Sequence, residues 1–358
     1  MTAPLPQGAT IGILGGGQLG RMLAMAAARL GYRTVVLDPA EDSPAAQVAN
    51  GFIHAAYDDT PALKKLLQQC DVITYEFENV PVATALSLSE EMSVFPPPEA
   101  LEAAQDRLAE KIFLNTAGIS TAPFLSVDND DDLARGLERF SGGVLKTRRM
   151  GYDGKGQRVF RSADAGAHEG VFSEMGGVPL ILEALVPFRR EISVIAARAA
   201  DGSTAIYDPA ENEHRDGILH RSTVPAHVDA GTLAAAKQAA IDILGSLHYV
   251  GVLGVEFFVL DNGKVLVNEI APRVHNSGHW TEAACTVCQF EQHIRAVAGL
   301  PLGDTGRHSD CVMENLIGDE VLSAPELLKE PDLMLHLYGK TEIRPGRKMG
   351  HFTRLIRS

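Results

Sequence analysis

The sequence predicts a parallel α/β domain followed by a small and then a larger α+β domain, the last built on antiparallel strands. Three observations carry this reading. Residues 10–95 alternate short apolar runs with helical patterns, the rhythm of βαβ units around a parallel sheet. The triple proline at 96–98 and the break from Gly118 to Pro123 interrupt that rhythm. Further on, two strand-like runs are joined by Asn262-Gly263, the strongest short hairpin signal. A chain of 358 residues also exceeds what one hydrophobic core fills, roughly 250–300 residues.

Taken in order, strands are expected at Thr10–Leu14, Thr34–Leu37 and Val72–Tyr75, with helices at Gln18–Leu30 and Pro61–Gln69. A long helix from Glu99 to Thr116 leads to a first boundary near residue 120, so that residues 1–120 form the first domain. Residues 121–186 read as a small α+β unit: a helix near 130–140, a strand ending at Lys146, a glycine-rich loop, and a strand from Leu180 to Leu185. Residues 187–358 form the larger unit, with strands at Glu191–Ala199, Ser203–Tyr207, Val252–Leu260 and Lys264–Ile270 and helices at 230–246 and 281–298.

Composition narrows the function. The net charge of -14 argues against a partner held by its phosphate backbone, so no nucleic acid is expected, and any anionic ligand must be met by local cations. The first eight residues lack a basic cluster followed by an apolar core, and no run of 18 apolar residues occurs, so a cytoplasmic protein without a membrane partner is expected. Cys70, Cys285, Cys288 and Cys311 are too few for a disulfide framework. Cys285 and Cys288 form a CxxC, but with no second pair beside it they read as packed thiols on a helix.

Gly15, Gly17 and Gly20 spell GxGxxG between a strand and a helix, and Asp38 closes the following strand. Those are the parts of a dinucleotide fingerprint, with glycines for the tight turn and an acid for ribose hydroxyls. Any βα turn that opens a helix toward an anion wants the same glycines. The features after residue 120, which call for phosphates and a metal, have no obvious use in a nicotinamide dehydrogenase.

The hairpin supplies the strongest of these features. With Asn262 and Gly263 as the loop, Asp261 pairs with Lys264, and the register places Glu256 directly opposite Glu269 on one face of the sheet. Opposed Cβ atoms lie about 5 Å apart, and two carboxylates there repel by about 3 kcal/mol at an effective dielectric near 20. Either one carboxylate is protonated or a cation sits between them, and oxygen-only ligands favour magnesium or calcium over zinc. Since magnesium is usually held by one or two carboxylates plus phosphates, the pair predicts a bound nucleotide.

Two loops complete the constellation. Gly151-Tyr152-Asp153-Gly154-Lys155-Gly156 follows a strand that carries Lys146, Arg148 and Arg149, and such a loop can bend N–H groups around phosphate oxygens. It is not a P-loop, whose GxxxxGK[ST] pattern is absent. Directly after Glu269, the stretch Ala271 to Trp280 gathers Arg273, His275, Asn276, Ser277 and the single tryptophan, more polar groups than a connector needs. Lys340, Arg347 and Lys348 form a later basic group around Arg344-Pro345-Gly346.

The motifs GGGQLGRM (15–22), YEFENV (75–80), KTRRMGYDGKGQ (146–157), NEIAPRVHNSGHW (268–280) and RPGRKMGH (344–351) together resemble the ATP-grasp superfamily, and within it the branch that carboxylates 5-aminoimidazole ribonucleotide in purine biosynthesis. The resemblance implies a Rossmann-like first domain that does not take nicotinamide, a small central lid, and a C-terminal domain, with ATP clamped between the last two. It implies phosphate contacts from Arg107 and Lys146 and from the loop Gly151, Tyr152, Asp153, Gly154, Lys155, Gly156 and Gln157. Glu183, Ala184, Leu185 and Val186 would line an adenine pocket, Glu191 would take the ribose hydroxyls, and His214 and Asn268 would add nucleotide contacts. Glu256 and Glu269 would hold magnesium, in agreement with the hairpin register. Substrate contacts are implied for Gln18, Leu19, Glu76, Arg273, His275, Asn276 and Ser277, with Lys340, Arg347 and Lys348 on the ribonucleotide phosphate. The catalytic group would be Tyr152, Asp153, Lys155, Arg273 and His275.

The implied reaction is a ligation: ATP activates bicarbonate as carboxyphosphate, and the amine of aminoimidazole ribonucleotide takes up the carbon dioxide. A homodimer is implied by family likeness alone. Ala271 stands where many ATP-grasp proteins place a metal-binding asparagine, and the chain stops sooner after RPGRKMGH than is usual in the family.

Overall fold

The computed structural model describes residues 3–151, 156–161 and 168–356. The first sheet is parallel, with β1 (Thr10–Leu14), β2 (Arg33–Asp38), β3 (Gly51–His54) and β4 (Val72–Tyr75) in the order β3-β2-β1-β4. Strands β1, β2 and β4 are near-continuous apolar runs with almost every residue buried, as a sheet covered on both faces requires. Helices α1 (Gln18–Arg29), α2 (Thr60–Gln69) and α3 (Val82–Ser89) follow the strands.

The single long helix expected from Glu99 to Thr116 is two helices, α4 (Pro98–Gln105) and α5 (Arg107–Thr116). Asp106 separates them in an extended conformation, and its carboxylate accepts from the N–H groups of Leu108 and Ala109 at 3.0 and 3.3 Å. The helical pattern runs through this point. An aspartate with free N–H groups ahead of it caps a new helix instead.

A second sheet of four antiparallel strands follows: β5 (Phe124–Val127), then α6 (Asp130–Phe140), β6 (Gly143–Thr147), β7 (Gln157–Phe160), α7 (Val171–Glu174) and β8 (Leu180–Glu183), ordered β5-β8-β6-β7. It encloses its own core of Val127, Leu133, Leu145, Phe160 and Leu182. The strand expected to reach Leu185 ends at Glu183.

The third sheet has nine strands among the described residues, in the order β14-β13-β9-β11-β12-β15-β17-β16, with β10 beside β9. Its strands are β9 (Phe188–Arg198), β10 (Thr204–Ile206), β11 (Ala210–Arg215), β12 (Ile218–Val224), β13 (Gly251–Leu260), β14 (Val265–Ala271), β15 (Asp310–Ile317), β16 (Leu333–Leu337) and β17 (Lys348–Ile356). Helix α8 (Ala230–Ser246) covers one face with an Ala236, Ala240, Ile243 and Leu244 stripe. The helix expected over 281–298 is broken into α9 (Thr281–Ala284) and α10 (Gln289–Val297), and α11 (Ala324–Leu327) lies beyond. Cys285 and Cys288 therefore flank a break, both extended, rather than sitting on a helix. All four thiols are free and buried, and burial pushes Cys285 up to about 12 and Cys288 up to about 11.

The first and third sheets share a core in which Ile13, Met22 and Leu23 meet Trp280, Phe290 and Ile294 through the α1 and α10 packing. That joint fixes the glycine turn after β1 relative to the hairpin β13–β14.

Candidate active site

Glu256 and Glu269 are directly opposed on β13 and β14. The route to that register differs from the two-residue loop. Leu260 pairs with Lys264 around a three-residue loop, Asp261–Gly263, and only Gly263 takes positive φ, at +79°. This shifts the pairing by one residue as far as Phe257 and Val267; a bulge then restores it, Asn268 being the extra residue. Because a bulge interrupts strict alternation, the neighbours Asn268 and Glu269 both line the same cleft.

The cleft holds about 570 Å³ between the small and the large antiparallel sheets, and it brings together Gln18, Leu19, Arg107, Lys146, Gly151, Gln157, Glu191, His214, Glu256, Asn268, Glu269, Arg273, His275, Asn276 and Lys348. Burial works against the charge on Glu269, yet Arg107 Nη1 donates to its Oε2 at 3.0 Å and holds the carboxyl below the usual range. Glu256 has no such donor; burial, and next the charge of Glu269, push it up. Among the described residues Asn268 Oδ1 is buried without a hydrogen-bond partner. Two carboxylates and an orphaned amide oxygen make an all-oxygen donor set of the kind a hard divalent ion takes.

Behind this surface lies a group of charges that the sequence did not reveal. Lys111, almost wholly buried, reaches the Asn268 carbonyl at 3.2 Å and Glu183 at 3.4 Å, and Lys146 reaches Glu183 at 3.1 Å. The Glu183 carboxylate is therefore committed to two lysines. Ala184 and Val186 are half-buried just past the strand end, and Leu185 is exposed. Burial raises Glu110 to about 8, and its Oε1 accepts from the Ile270 N–H at 2.6 Å. Phe188 and Phe258 stack at 4.6 Å where β9 meets β13, also in the cleft lining. A continuous apolar helix pattern and two isolated phenylalanines gave no signal for either group.

Glu191 and His214 are joined at 2.5 Å across β9 and β11; burial pulls His214 down, but Glu191 raises it overall. Arg273 Nη2 meets Glu78 at 2.6 Å. His275 is drawn down to about 3 by burial and then by Arg273, so it works as a neutral imidazole. Its Nε2 lies 3.5 Å from Glu256, and its Nδ1 faces the Ser277 hydroxyl at 2.8 Å, itself bonded to Ser193 at 2.7 Å. Ser277 is fully buried, and its hydroxyl orients His275. Asn276 has both amide atoms buried and unpartnered in the lining.

The other expected contacts fall away from the lining. Lys340 donates to the Lys348 carbonyl at 2.7 Å, and Arg347 to the Glu342 carbonyl at 2.8 Å. Glu76 is buried and accepts from the Gly17 N–H at 2.7 Å. Asp38 accepts from Gly16 N–H at 2.6 Å and from the Tyr57 hydroxyl at 2.9 Å. The glycine turn is thus filled by the chain's own carboxylates, and the acid expected for ribose is already spoken for. Gly156 begins the described part after the loop, with φ +68°. Tyr152, Asp153, Gly154 and Lys155 lie outside the described residues.

A lid-like sheet and a large antiparallel sheet closing on paired carboxylates define an ATP-grasp protein, and a model of the ATP-grasp domain matches residues 112–290. Models of the ribonucleotide synthetase preATP-grasp domain and the phosphoribosylaminoimidazole carboxylase C-terminal domain match residues 8–105 and 311–358. The chain belongs to the N5-carboxyaminoimidazole ribonucleotide synthase family. It is 60% identical over 352 residues to the N5-carboxyaminoimidazole ribonucleotide synthase of Brucella melitensis biotype 1, covering 98% of this chain and 97% of that one. It is similar to the Staphylococcus aureus N5-carboxyaminoimidazole synthetase solved with ADP, at TM-score 0.94 and 42% identity over 99% and 95% of the two chains. It is also similar to the Aspergillus clavatus synthase solved with ADP and 5-aminoimidazole ribonucleotide, at TM-score 0.90 and 30% identity over 98% and 94%. Among the described residues no helix is long and apolar enough to cross a membrane.

Proposed function

We propose that this chain is the ATP-dependent ligase that carboxylates 5-aminoimidazole ribonucleotide in purine biosynthesis, taking its carbon from bicarbonate. The observation that carries the reading is the convergence of Glu256, Glu269, Arg107 and Lys146 on one cleft. Glu256, Glu269 and the Asn268 amide oxygen would hold magnesium, which when bound screens the charge of a triphosphate.

A bicarbonate oxygen attacks the γ-phosphorus of ATP, the bond to the β-phosphate oxygen breaks, and ADP leaves. Lys146 and Arg107 offset the charge on the transferred phosphoryl group, which is positioning and electrostatics rather than covalent chemistry. The resulting carboxyphosphate breaks its carbon–oxygen bond to give carbon dioxide and phosphate. The substrate's exocyclic amine then bonds to the carbon and loses one proton. The phosphate released in the preceding step is the available acceptor; neutral His275, held by Ser277, offers the site a hydrogen bond, and Arg273, fixed by Glu78, steadies the developing carboxylate. Gln18 and Leu19 at the first turn and Lys348 across the cleft bracket the ribonucleotide. By family likeness the protein works in the cytoplasm as a homodimer.

The test is ADP release measured with and without aminoimidazole ribonucleotide, in bicarbonate-containing and bicarbonate-depleted buffer. Full turnover requires both; release that ignores the ribonucleotide overturns the substrate assignment. Glu269→Gln should fold normally and lose most turnover, and near-normal activity would refute the metal assignment.

A further inference from the structure

A second polar cluster lies away from the nucleotide cleft, at the far edge of the large sheet. His336 and His351 are directly opposed on β16 and β17, so both side chains leave the same face, and their rings stack at 5.4 Å with 17° between planes. Glu282 of α9 closes over them. Its Oε2 is 3.4 Å from His336 Nδ1 and 3.6 Å from His351 Nε2, and the three donor atoms all lie within 4.8 Å of one another.

Those separations are too long for N–H···O hydrogen bonds, which cluster near 2.9 Å. Among the described residues Glu282 Oε2 is buried with no hydrogen bond of full geometry, although the two imidazoles hold its carboxyl down to about 2 against the cost of burial. Ligands at about 2.0–2.1 Å from a tetrahedral ion sit about 3.4 Å apart, close to the two separations from Glu282 to the imidazoles.

The surroundings support the same reading. Tyr338, wholly buried, places its hydroxyl 2.8 Å from His351 Nδ1, and an outer partner of this kind leaves Nε2 free to ligate. His279 stacks on His351 at 4.4 Å and is itself held at Nδ1 by Gln289 at 3.1 Å. The ring positions are thus set before any ion arrives.

We propose that Glu282, His336 and His351 form a zinc site with its fourth position open to water. Two imidazoles and one carboxylate suit zinc, whereas the oxygen-only set at Glu256 and Glu269 suits magnesium. The ion has a mechanical consequence: it ties β16 and β17 to the helix that follows the His275–Ser277 loop. Since β17 begins at Lys348, the site fixes the spacing between Lys348 and His275 across the cleft.

The test titrates cobalt(II), as a coloured stand-in for zinc, into chelator-treated full-length protein. One equivalent should develop the visible absorption of a four-coordinate ion and be displaced by one equivalent of zinc. The signal should persist in Glu269→Gln and disappear in both Glu282→Gln and His336→Gln, with circular dichroism verifying that each variant folds. Zinc should raise the thermal midpoint of the wild type and not that of His336→Gln. A wild type without the cobalt band, or a band undiminished in the folded His336→Gln variant, overturns the site and leaves an ion-free cluster.

Discussion

Arg107 bridges Glu269 and Gly151: its Nη1 donates to the Glu269 carboxylate at 3.0 Å and its Nη2 donates to the Gly151 carbonyl at 2.8 Å. One guanidinium thereby holds the Glu269 carboxyl below its usual range and ties it to the end of the segment that leads out of β6. The start of α5 does not depend on this side chain, because Asp106 caps it. Arg107→Met should keep the fold and lower kcat/KM by about 100-fold or more, the scale expected when a charge-assisted contact in the reacting region is lost. Steady-state kinetics beside circular dichroism decide it, and a folded variant within threefold of wild type would break the link between Arg107 and phosphate transfer.

Glu183 answers to stability first. Its carboxylate stands between Lys111 and Lys146, and both side chains are substantially buried. Removing the acid leaves two lysines without their counter-charge, and breaking a buried pair in this way costs about 3–5 kcal/mol. Glu183→Gln should therefore shift the urea midpoint strongly, whereas Leu185→Ala, at an exposed position two residues on, should hardly move it. Equal midpoints for the two variants would show that the lysines find other partners.

The parallel sheet, the hairpin and the opposed glutamates were legible because each rests on local chemistry: period, turn residues and register. The register survived a wrong loop because two one-residue departures cancel, the Gly263 loop and the Asn268 bulge, and neither has a distinct sequence signature. The Asp106 break went unseen because the apolar period runs across it. Lys111 and Glu183 are far apart in sequence and meet only when the fold brings α5 and the end of β8 together. The Ser277 hydroxyl meets both His275 and Ser193, and the second contact, between distant segments, has no local sequence signature. The strands β11, β12, β15, β16 and β17 are mixed in polarity and carry no period strong enough to separate from loops.

Gly16 and Gly245 should respond in opposite directions to alanine. A Cβ on Gly16 would stand 2.2 Å from Ser43 Oγ and 2.8 Å from Asp38 Cβ, inside a turn fixed by the Asp38 carboxylate. Overpacking there should cost about 1–3 kcal/mol or more. Gly245 lies in α8, is exposed, and has no atom within 4 Å of the added carbon. Alanine there should stabilise by up to about 1 kcal/mol through helix propensity. Thermal midpoints of the two variants check both signs, and a stabilised Gly16→Ala would mean that the glycine turn is looser than its contacts require.

His293 couples the first sheet to the third, and its protonation state should set part of the acid sensitivity. Its Nε2 lies 2.8 Å from Thr74 Oγ1 on β4, and its Nδ1 accepts from the Val252 N–H on β13 at 3.1 Å. Burial depresses it from 6.5 to about 3, so the folded protein keeps this imidazole neutral where the unfolded chain would protonate it. The unfolded state thus binds one more proton between those two values. Stability is complete above pH 6.5 and declines as pH falls toward 3, by about 1.4 kcal/mol per pH unit from this group. In His293→Gln the glutamine cannot titrate, so the slope of unfolding free energy against pH below 6.5 should flatten by the equivalent of one proton, whatever the variant loses at neutral pH. Urea unfolding at intervals from pH 7 to 4.5 measures both slopes, and parallel lines would show that the acid sensitivity of the sheet-to-sheet joint resides in other groups.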